Sequence, residues 1–278
     1  MSARYPERIV CLTEETTETL YLLGEQRRIV GVSGYTVRPP EARRDKPRVS
    51  AFLSAKTDKI LALEPDLVLG FSDLQADIAR DLVKAGLNVV VFNQRSIDEI
   101  LSMILTLSAM SGVAAKGKRL VAKFERDLER IRVSAGRFAR RPRVYFEEWD
   151  DPMISGIRWV SELVSIAGGD DVFPELSRSA GAAGRTIADG AEVVRRAPDV
   201  ILGSWCGKKF RPERVVSRPG WDAIPAVRDR ELHEIKSVDI LQPGPAALTD
   251  GVAQIHAILS AWSRRMGSTP LKKGQTPI

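Results

Sequence analysis

Short runs of β-branched and other apolar residues alternate along the first part of the chain with stretches that have helical spacing. Each apolar run ends in polar residues, which is typical of a buried parallel strand that leads into a loop. The predicted strands are 9–12, 29–32, 67–69 and 89–92, and the predicted helices are 16–23, 58–63 and 76–85. This alternation predicts a complete α/β lobe over residues 1–95.

The chain repeats this pattern in its second half. Residues 65–70 (PDLVLG) recur as residues 198–203 (PDVILG), 133 positions later. The second set of predicted elements consists of strands 144–146, 200–202 and 232–235 and helices 160–167 and 248–262. We therefore predict an α/β protein of two Rossmann-like lobes with parallel central sheets, and a ligand cleft between the lobes.

Two predicted helices separate the lobes. Ser96 and Glu99 form a capping box at the start of the first. The second amphipathic run, 114–135, would be about 33 Å long and is predicted to join the lobes; the alternative is an ordinary crossover helix of the first lobe. The predicted domains are an N-terminal lobe (1–95), linking helices (96–137), a C-terminal lobe (138–265) and a disordered tail (266–278) with few apolar residues.

The composition excludes a membrane-embedded protein. The chain is 44% hydrophobic, but it contains no run of about 18 apolar residues, so no membrane span is predicted. The first eight residues lack the apolar core of a secretory signal, which predicts a cytoplasmic protein. A trimmed mature form of a periplasmic protein would look the same. We expect a monomer.

The net charge of +6 at pH 7 raises the question of a nucleic-acid partner. The basic residues are scattered, however, and many stand in pairs at segment ends. No basic stripe is interleaved with aromatic residues. We interpret the basic residues as solvated helix ends and expect no nucleic-acid partner.

The carboxyl ends of the predicted strands carry the candidate ligand contacts, because ligands of parallel α/β sheets bind beyond those ends. Aromatic side chains stand there beside polar residues, a combination that suits a large ligand with apolar faces and a polar rim. The predicted contacts are Glu14, Glu15, Tyr35, Arg38, Phe52, Phe71, Glu148, Trp149, Trp205, Lys208 and Leu241. Phe52 and Phe71 could instead cap the core, whereas the charged sequence around Trp149 and Trp205 favours a binding role.

Signatures of catalysis are missing from the sequence. It contains no GxGxxG, GxxxxGK[ST], HExxH or GxSxG motif, and both histidines, His233 and His256, are interpreted as structural. We therefore predict no enzyme activity, no catalytic residue and no catalytic cofactor. The acidic run at 147–151 could hold a hard cation, but neighbouring basic residues can neutralise it and its spacing is not that of a metal site. The alternative is a corrinoid- or metal-processing enzyme that uses Glu147 or Glu148.

Several motifs of the chain resemble the cobalamin-binding proteins of ABC importers. The motifs are RIVCLT at 8–13, IVGVSGY at 29–35, PPEA at 39–42, DKILALEPDLV at 58–68, WVSEL at 159–163, AGG at 167–169 and PGW at 219–221. The similarity covers about residues 7–262. The P-D-L-V strand and the Y-x-x-x-P-P loop are specific for the wider group that binds cobalamin, haem and ferric siderophores, and they do not distinguish among these ligands.

This resemblance implies a small-molecule binding protein with two α/β lobes joined by one long helix, little hinge motion and no chemistry. It implies cobalamin as the ligand, with Tyr35, Phe52 and Phe71 as contacts in the first lobe. Trp149 falls at a matching aromatic position of the second lobe, and Trp205 matches only at the level of its loop. The protein would serve an ABC importer or act as a soluble carrier. A ferric-siderophore or haem binder is the alternative, with Tyr35 as the candidate axial ligand.

The resemblance also implies docking on a membrane permease, because one exposed acid on each lobe of the family contacts permease arginines. The nearest matches are Asp58 and, less closely, Glu213. Three features depart from the family: no signal peptide or lipid-anchor cysteine is seen, Phe52 and Phe71 stand where cobalamin binders often carry Trp, and the site loops are more charged than a neutral corrinoid requires. Because buried charges need partners, a ligand with charged groups or a metal remains an alternative.

Overall fold

The computed structural model describes residues 5–268, which form two compact units. The first unit comprises residues 5–127 and Ser237–Asp250, and the second comprises residues 128–236 and 251–268. This division differs from the predicted boundaries, because Ser237–Asp250 packs with the first unit and not with the C-terminal lobe. We call Ser237–Asp250 the return segment.

The first unit is built on a five-stranded parallel sheet in the order β3-β2-β1-β4-β5. Its strands are β1 (Ile9–Cys11), β2 (Ile29–Ser33), β3 (Arg48–Ser50), β4 (Leu67–Phe71) and β5 (Val89–Phe92). Its helices are α1 (Glu14–Leu22), α2 (Pro40–Asp45), α3 (Thr57–Leu61), α4 (Ala76–Lys84), α5 (Ile97–Met110) and the first part of α6 (Ala114–Ala135). Side chains of β1, β3 and β4 pack with Ile60 of α3 and Leu82 of α4 in one buried cluster.

The second unit contains the sheet β10-β9-β6-β7, and a short strand, β8, pairs with β6. The strands are β6 (Arg143–Asp150), β7 (Met153–Ser155), β8 (Asp170–Asp171), β9 (Val200–Gly203) and β10 (Leu232–Glu234). The further helices are α7 (Arg158–Ile166), α8 (Ala191–Arg196), α9 (Pro212–Val216), α10 (Pro225–Arg228), α11 (Ser237–Ile240, in the return segment) and α12 (Val252–Ser268). Only β7 is antiparallel, since it forms a hairpin with β6. The prediction of two α/β lobes with parallel central sheets is confirmed.

The aspartate of the repeated Pro-Asp motif makes equivalent hydrogen bonds in both units. The carboxylate of Asp66 accepts hydrogen bonds from the backbone N–H groups of Glu7 and Arg8, just before β1. The carboxylate of Asp199 accepts one from the N–H of Arg143, the first residue of β6. In each copy the aspartate therefore fixes the start of the neighbouring strand and its register.

The long helix α6 has the predicted bounds and continues from the first unit into the second. The capping box of Ser96 and Glu99 is present at the start of α5, where each residue binds the backbone of the other. At the other end of the chain, α12 continues to Ser268, so residues 266–268 of the predicted disordered tail are helical. The rest of that tail lies outside the described residues.

No helix within residues 5–268 combines the length and the apolar character that crossing a membrane requires.

Candidate ligand-binding site

Three strand-end loops of the first unit are fixed to one another by hydrogen bonds. The N–H of Gly34, after β2, donates to the carbonyl of Ser50 at the end of β3 (2.7 Å). The buried amide of Gln75 then joins the next two loops. Its Oε1 accepts from the N–H of Phe71 and its Nε2 donates to the carbonyl of Phe52, both at 2.9 Å. The carboxyl ends of β2, β3 and β4 therefore form one connected platform.

This platform carries large apolar side chains that water reaches. Tyr35 is 59% exposed, Leu53 67% and Leu74 59%, and each follows a different strand of the sheet. Phe52 is half-buried, and Phe71 is only 8% exposed. We call these five residues the apolar face. The sequence predicted its aromatic members and missed Leu53 and Leu74, although both lie within three residues of a predicted contact.

Phe71 is covered on one side by a cation. The guanidinium carbon of Arg95 lies 4.8 Å from the centre of its ring, and Arg95 also pairs with Asp73 at 3.4 Å. Phe71 is nearly buried, and the Arg95 guanidinium covers one face of its ring. Phe71 therefore packs beneath the apolar face and offers a ligand little surface of its own.

Two buried carboxyls stand at the carboxyl end of the central strand β1. Burial raises the pKa of Glu14 to about 8, and the nearby charge of Glu15 adds to the shift. Burial also raises the pKa of Glu15 to about 7. A hydrogen bond that Thr13 Oγ1 donates to this carboxyl at 2.6 Å acts in the opposite direction and lowers the pKa. At pH 7, Glu14 is therefore mostly protonated and Glu15 about half protonated, so the two carboxyls together need no full cationic partner from a ligand.

Arg38 joins three acidic side chains of the first unit. Its guanidinium pairs with Glu18 (3.1 Å), Asp239 (3.1 Å) and Asp250 (2.7 Å). The two aspartates belong to the return segment, which also carries the half-buried Leu241. The predicted ligand contact Arg38 thus holds the return segment in place. Whether Arg38 or Leu241 also touches a ligand stays a prediction.

In the second unit, the acid Glu147 is fully buried and fully paired. Arg218 binds both of its oxygens, at 2.5 and 3.0 Å. Tyr145 Oη donates to one oxygen and Trp205 Nε1 to the other, each at 3.0 Å. This set of donors satisfies the carboxylate, which accounts for its buried place within β6 without any ligand.

The neighbouring acids are paired as well. Glu148 forms a two-pronged ion pair with the buried Arg185, at 2.6 and 2.9 Å. Asp150 pairs with Lys208 and, at 2.7 Å, with Arg214. Burial alone would raise the pKa of Asp150, but these cations hold it below its usual value. Glu147, Glu148 and Asp150 are therefore held in ion pairs within the unit, by cations that lie 37 to 71 residues away in the sequence.

The two tryptophans that the sequence singled out have different surroundings. Trp205 is only 2% exposed, and its ring packs edge-on against Phe210 at 5.0 Å. It belongs to the core of the unit, contrary to its predicted place in the binding surface. Trp149 is half-buried, and the Lys208 ammonium lies 3.9 Å from the centre of its ring. Trp149 and Lys208 can meet a ligand; Trp205 lies beneath them.

A cavity of about 570 Å³ opens beside the β6–β7 hairpin of the second unit. It is bordered by the hairpin tip, the loop 186–191 and the segment 218–221. The lining includes Asp151, Pro152, Met153, Ile187, Arg218 and Trp221. This cavity was not predicted from the sequence, because its walls come from segments that are far apart in the chain.

Both histidines make structural contacts. His233 pairs with Glu231 at 2.9 Å, and the ring of His256 stacks on Phe138 and reaches the carbonyl of Ala167 at 3.1 Å. Among residues 5–268, no three His, Cys, Asp or Glu side chains are grouped so that they could hold a metal ion.

One family model matches most of the chain. A model described as "Periplasmic binding protein" matches residues 9–238. The chain belongs to the periplasmic binding protein family. Members of this family are solute-binding proteins and not enzymes.

Relatives of this periplasmic binding protein include proteins of known and unknown ligand. It is 25% identical over 252 residues to a vitamin B12-binding protein of Vibrio parahaemolyticus, covering 87% of this chain and 86% of the relative. It is also 25% identical over 259 residues to an uncharacterised ABC transporter substrate-binding lipoprotein of Bacillus subtilis, covering 90% and 79%.

Solved structures of the same fold carry other ligand names. A possible iron-binding periplasmic protein of Staphylococcus epidermidis superposes with a TM-score of 0.80 at 20% identity, covering 92% of this chain and 99% of the other. The haem-binding protein RhuT of Roseiflexus gives a TM-score of 0.74 at 25% identity, covering 91% and 99%. These similarities establish a periplasmic binding protein fold and leave the ligand of this chain open.

Two acids of this periplasmic binding protein stand where the resemblance expects permease contacts. Asp58 lies in the first turn of α3 in the first unit, and Glu213 lies in the first turn of α9 in the second. Both are exposed. Their docking role stays a prediction, as does the placement of the ligand between the two lobes.

Proposed function

We propose that this protein binds a corrinoid, cobalamin, and delivers it to an ABC importer. The observation that carries the proposal is the apolar face of the first unit. Tyr35, Leu53 and Leu74 are largely exposed at the strand ends, where ligands of parallel α/β sheets bind. Exposed apolar side chains on a rigid platform favour a broad ligand with an apolar surface.

The state of the charges supports a neutral ligand. Glu147, Glu148 and Asp150 are each paired with a cation of the protein itself. Glu14 and Glu15 have pKa values near neutrality, so they need no cation to balance them. The charged loops, which in the sequence argued for a charged or metal-bearing ligand, therefore leave room for a corrinoid whose rim carries uncharged amides.

Haem is the second candidate, and one observation favours it. Tyr35 is an exposed phenol on the apolar face, and a phenolate oxygen can serve as an axial ligand of haem iron. A relative named for vitamin B12 and a solved structure named for haem are equally distant in sequence. Similarity alone therefore does not choose between the two ligands.

The proposed partner is the permease of an ABC importer, reached through Asp58 and Glu213. One relative is named as the substrate-binding lipoprotein of an ABC transporter. This proposal implies that the protein is located on the outer side of the cytoplasmic membrane, beside the importer. The protein would act as a carrier and would release its ligand unchanged.

Isothermal titration with cyanocobalamin tests the proposal, with haemin and ferrichrome as competing ligands. We expect micromolar or tighter binding of cyanocobalamin and weaker binding of the other two. Tight haemin binding that is lost in Tyr35→Phe would replace the corrinoid by haem. No detectable binding of any of the three ligands would reject the proposal.

A matched pair of variants places the ligand on the apolar face. Leu53→Ser removes an exposed apolar contact and should weaken cyanocobalamin binding about fivefold, since burying a leucine is worth on the order of 1–2 kcal/mol. Leu22→Ser is the control, because Leu22 is also exposed (51%) but ends α1, the helix that leads away from the carboxyl end of β1. Equal effects of the two variants would remove Leu53 from the site.

A further inference from the structure

The positive charge of the chain is concentrated in and just after helix α6. Residues 114–141 contain ten basic and three acidic residues, a net charge of +7, while the whole chain carries +6. The rest of the chain is therefore close to neutral. Three of these cations pair with acids outside this segment, Lys116 with Glu25, Arg140 with Asp199 and Arg141 with Asp170, so the unbalanced charge lies on the rest of α6.

Helix geometry collects these cations on one line. Residues 119, 123, 126 and 130 recur at intervals of four, three and four, so their side chains share one helix face. We call Arg119, Lys123, Arg126 and Arg130 the basic row. The side chains buried on α6 are Val121, Phe124, Leu128 and Ala135. At 3.6 residues per turn, the basic row lies roughly 130–170° from the centre of this buried stripe, on the outward side of the helix.

The row contains no acidic side chain. Glu125, Asp127 and Glu129 stand next to its members in sequence and therefore project about 100° to either side. Asp127 binds Lys123 at 2.6 Å. Arg119 and Arg126 are exposed and have no acidic partner within residues 5–268. At least two cations of the row are therefore free to meet an outside anion.

We propose that the basic row of α6 rests on an anionic phospholipid surface. The inference rests on the proposed function, because the binding protein of an importer works beside a membrane. The row is straight and about 17 Å long, so its exposed cations, Arg119 and Arg126 among them, face one plane. Each Lys or Arg near an anionic bilayer adds attraction that salt screens. A nucleic-acid duplex fits less well, because the row offers no amide or aromatic side chain to contact bases.

Vesicle co-sedimentation tests this docking surface. The full chain should bind vesicles of phosphatidylcholine mixed with phosphatidylglycerol, and not vesicles of phosphatidylcholine alone. The variant Arg119→Gln/Arg126→Gln should bind the anionic vesicles about tenfold more weakly. The control Arg43→Gln/Lys84→Gln removes the same charge from two exposed residues of the first unit that lie on α2 and α4. It should bind like the unaltered chain.

Three outcomes would overturn the inference: no binding to anionic vesicles, equal loss in both double variants, or tighter binding to duplex DNA through Arg119 and Arg126. Circular dichroism melting of both variants checks that they are folded. Titration with cyanocobalamin is run on the same samples. Corrinoid binding without vesicle binding would reject the basic row alone, and vesicle binding without corrinoid binding would reject the proposed ligand alone.

Discussion

At the scale of single residues, Glu147 illustrates how a buried acid can look like a functional group. It is fully buried, yet Arg218, Tyr145 and Trp205 all donate to it. The ion pair of Glu147 and Arg218 lies in a region of low dielectric constant, where an unpaired charge greatly lowers the stability of the fold. The carboxylate thus belongs to the architecture of the second unit, and nothing in its contacts calls for acid–base chemistry.

Removing the partner of Glu147 should be far more damaging than removing an exposed pair. Arg218→Met keeps part of the packing over Trp221 but leaves a buried charge, which should lower the free energy of unfolding by about 3–5 kcal/mol. The double variant Glu147→Gln/Arg218→Met should recover part of this loss, since it removes the charge as well. Urea denaturation measures the free energy of unfolding of all three chains.

Arg44→Met is the control, because the ion pair of Arg44 with Asp45 is exposed and its loss should have no measurable effect on stability. A loss in Arg218→Met as small as in the control would contradict this account of Glu147.

At the scale of elements, the return segment shows what long-range pairing adds to a topology. The chain leaves the second unit at residue 236 and packs on the first before α12 begins. Arg38 binds Asp239 and Asp250, the Gln94 side chain donates to the carbonyl of Pro243 at 2.9 Å, and Gly244 lies against Glu15. A Cβ atom at position 244 would come within 2.4 Å of the Glu15 Cβ atom. This close fit explains why the segment stays with the first unit.

Loss of Arg38 should therefore loosen the return segment in particular. Arg38→Met leaves Glu18, Asp239 and Asp250 without their shared cation, so the three acids repel one another. We expect faster amide hydrogen exchange in Ser237–Asp250, by about tenfold, with the helices of the second unit unchanged. Arg28→Met is a matched control, because it breaks a partly buried arginine pair with Glu25 elsewhere in the first unit. Unaltered exchange in the return segment, or the same acceleration in Arg28→Met, would show that Arg38 does not anchor it.

At the scale of the whole molecule, the repeated P-D strand was enough to predict two α/β lobes. The repeat marks β4 and β9, and in each copy the aspartate fixes the neighbouring strand. Strand β3 escaped prediction because it has three residues and begins with the exposed Arg48. The burial of Trp205 could not be read from its charged neighbours, because its partner Glu147 is 58 residues away. Periodicity thus predicts elements, while the fate of polar and aromatic side chains depends on pairs distant in sequence.

The stability of the molecule should fall as the pH rises from 5 to 8, because two carboxyls bind protons more tightly in the folded state. Burial raises the pKa of Glu14 to about 8 and that of Glu15 to about 7 from a usual value of 4.5. Between these values the folded chain holds protons that the unfolded chain has released, so each step up in pH favours unfolding. The stabilising effect is complete below pH 4.5 and is lost above about pH 8. Groups whose pKa is lowered, such as Asp150, act only at more acidic pH.

Urea denaturation at pH 5, 6, 7 and 8 measures this dependence. The unaltered chain should lose about 2 kcal/mol or more of its free energy of unfolding across this range. The variant Glu14→Gln/Glu15→Gln should show a flatter profile, because it cannot take up the two protons. The pKa values of Glu18 and Asp171 are also raised by burial, so a residual slope in the variant is expected and only the difference between the two profiles belongs to Glu14 and Glu15. Parallel profiles would show that these carboxyls are ionised in the folded protein, and the case for a neutral ligand would then lose one of its two supports.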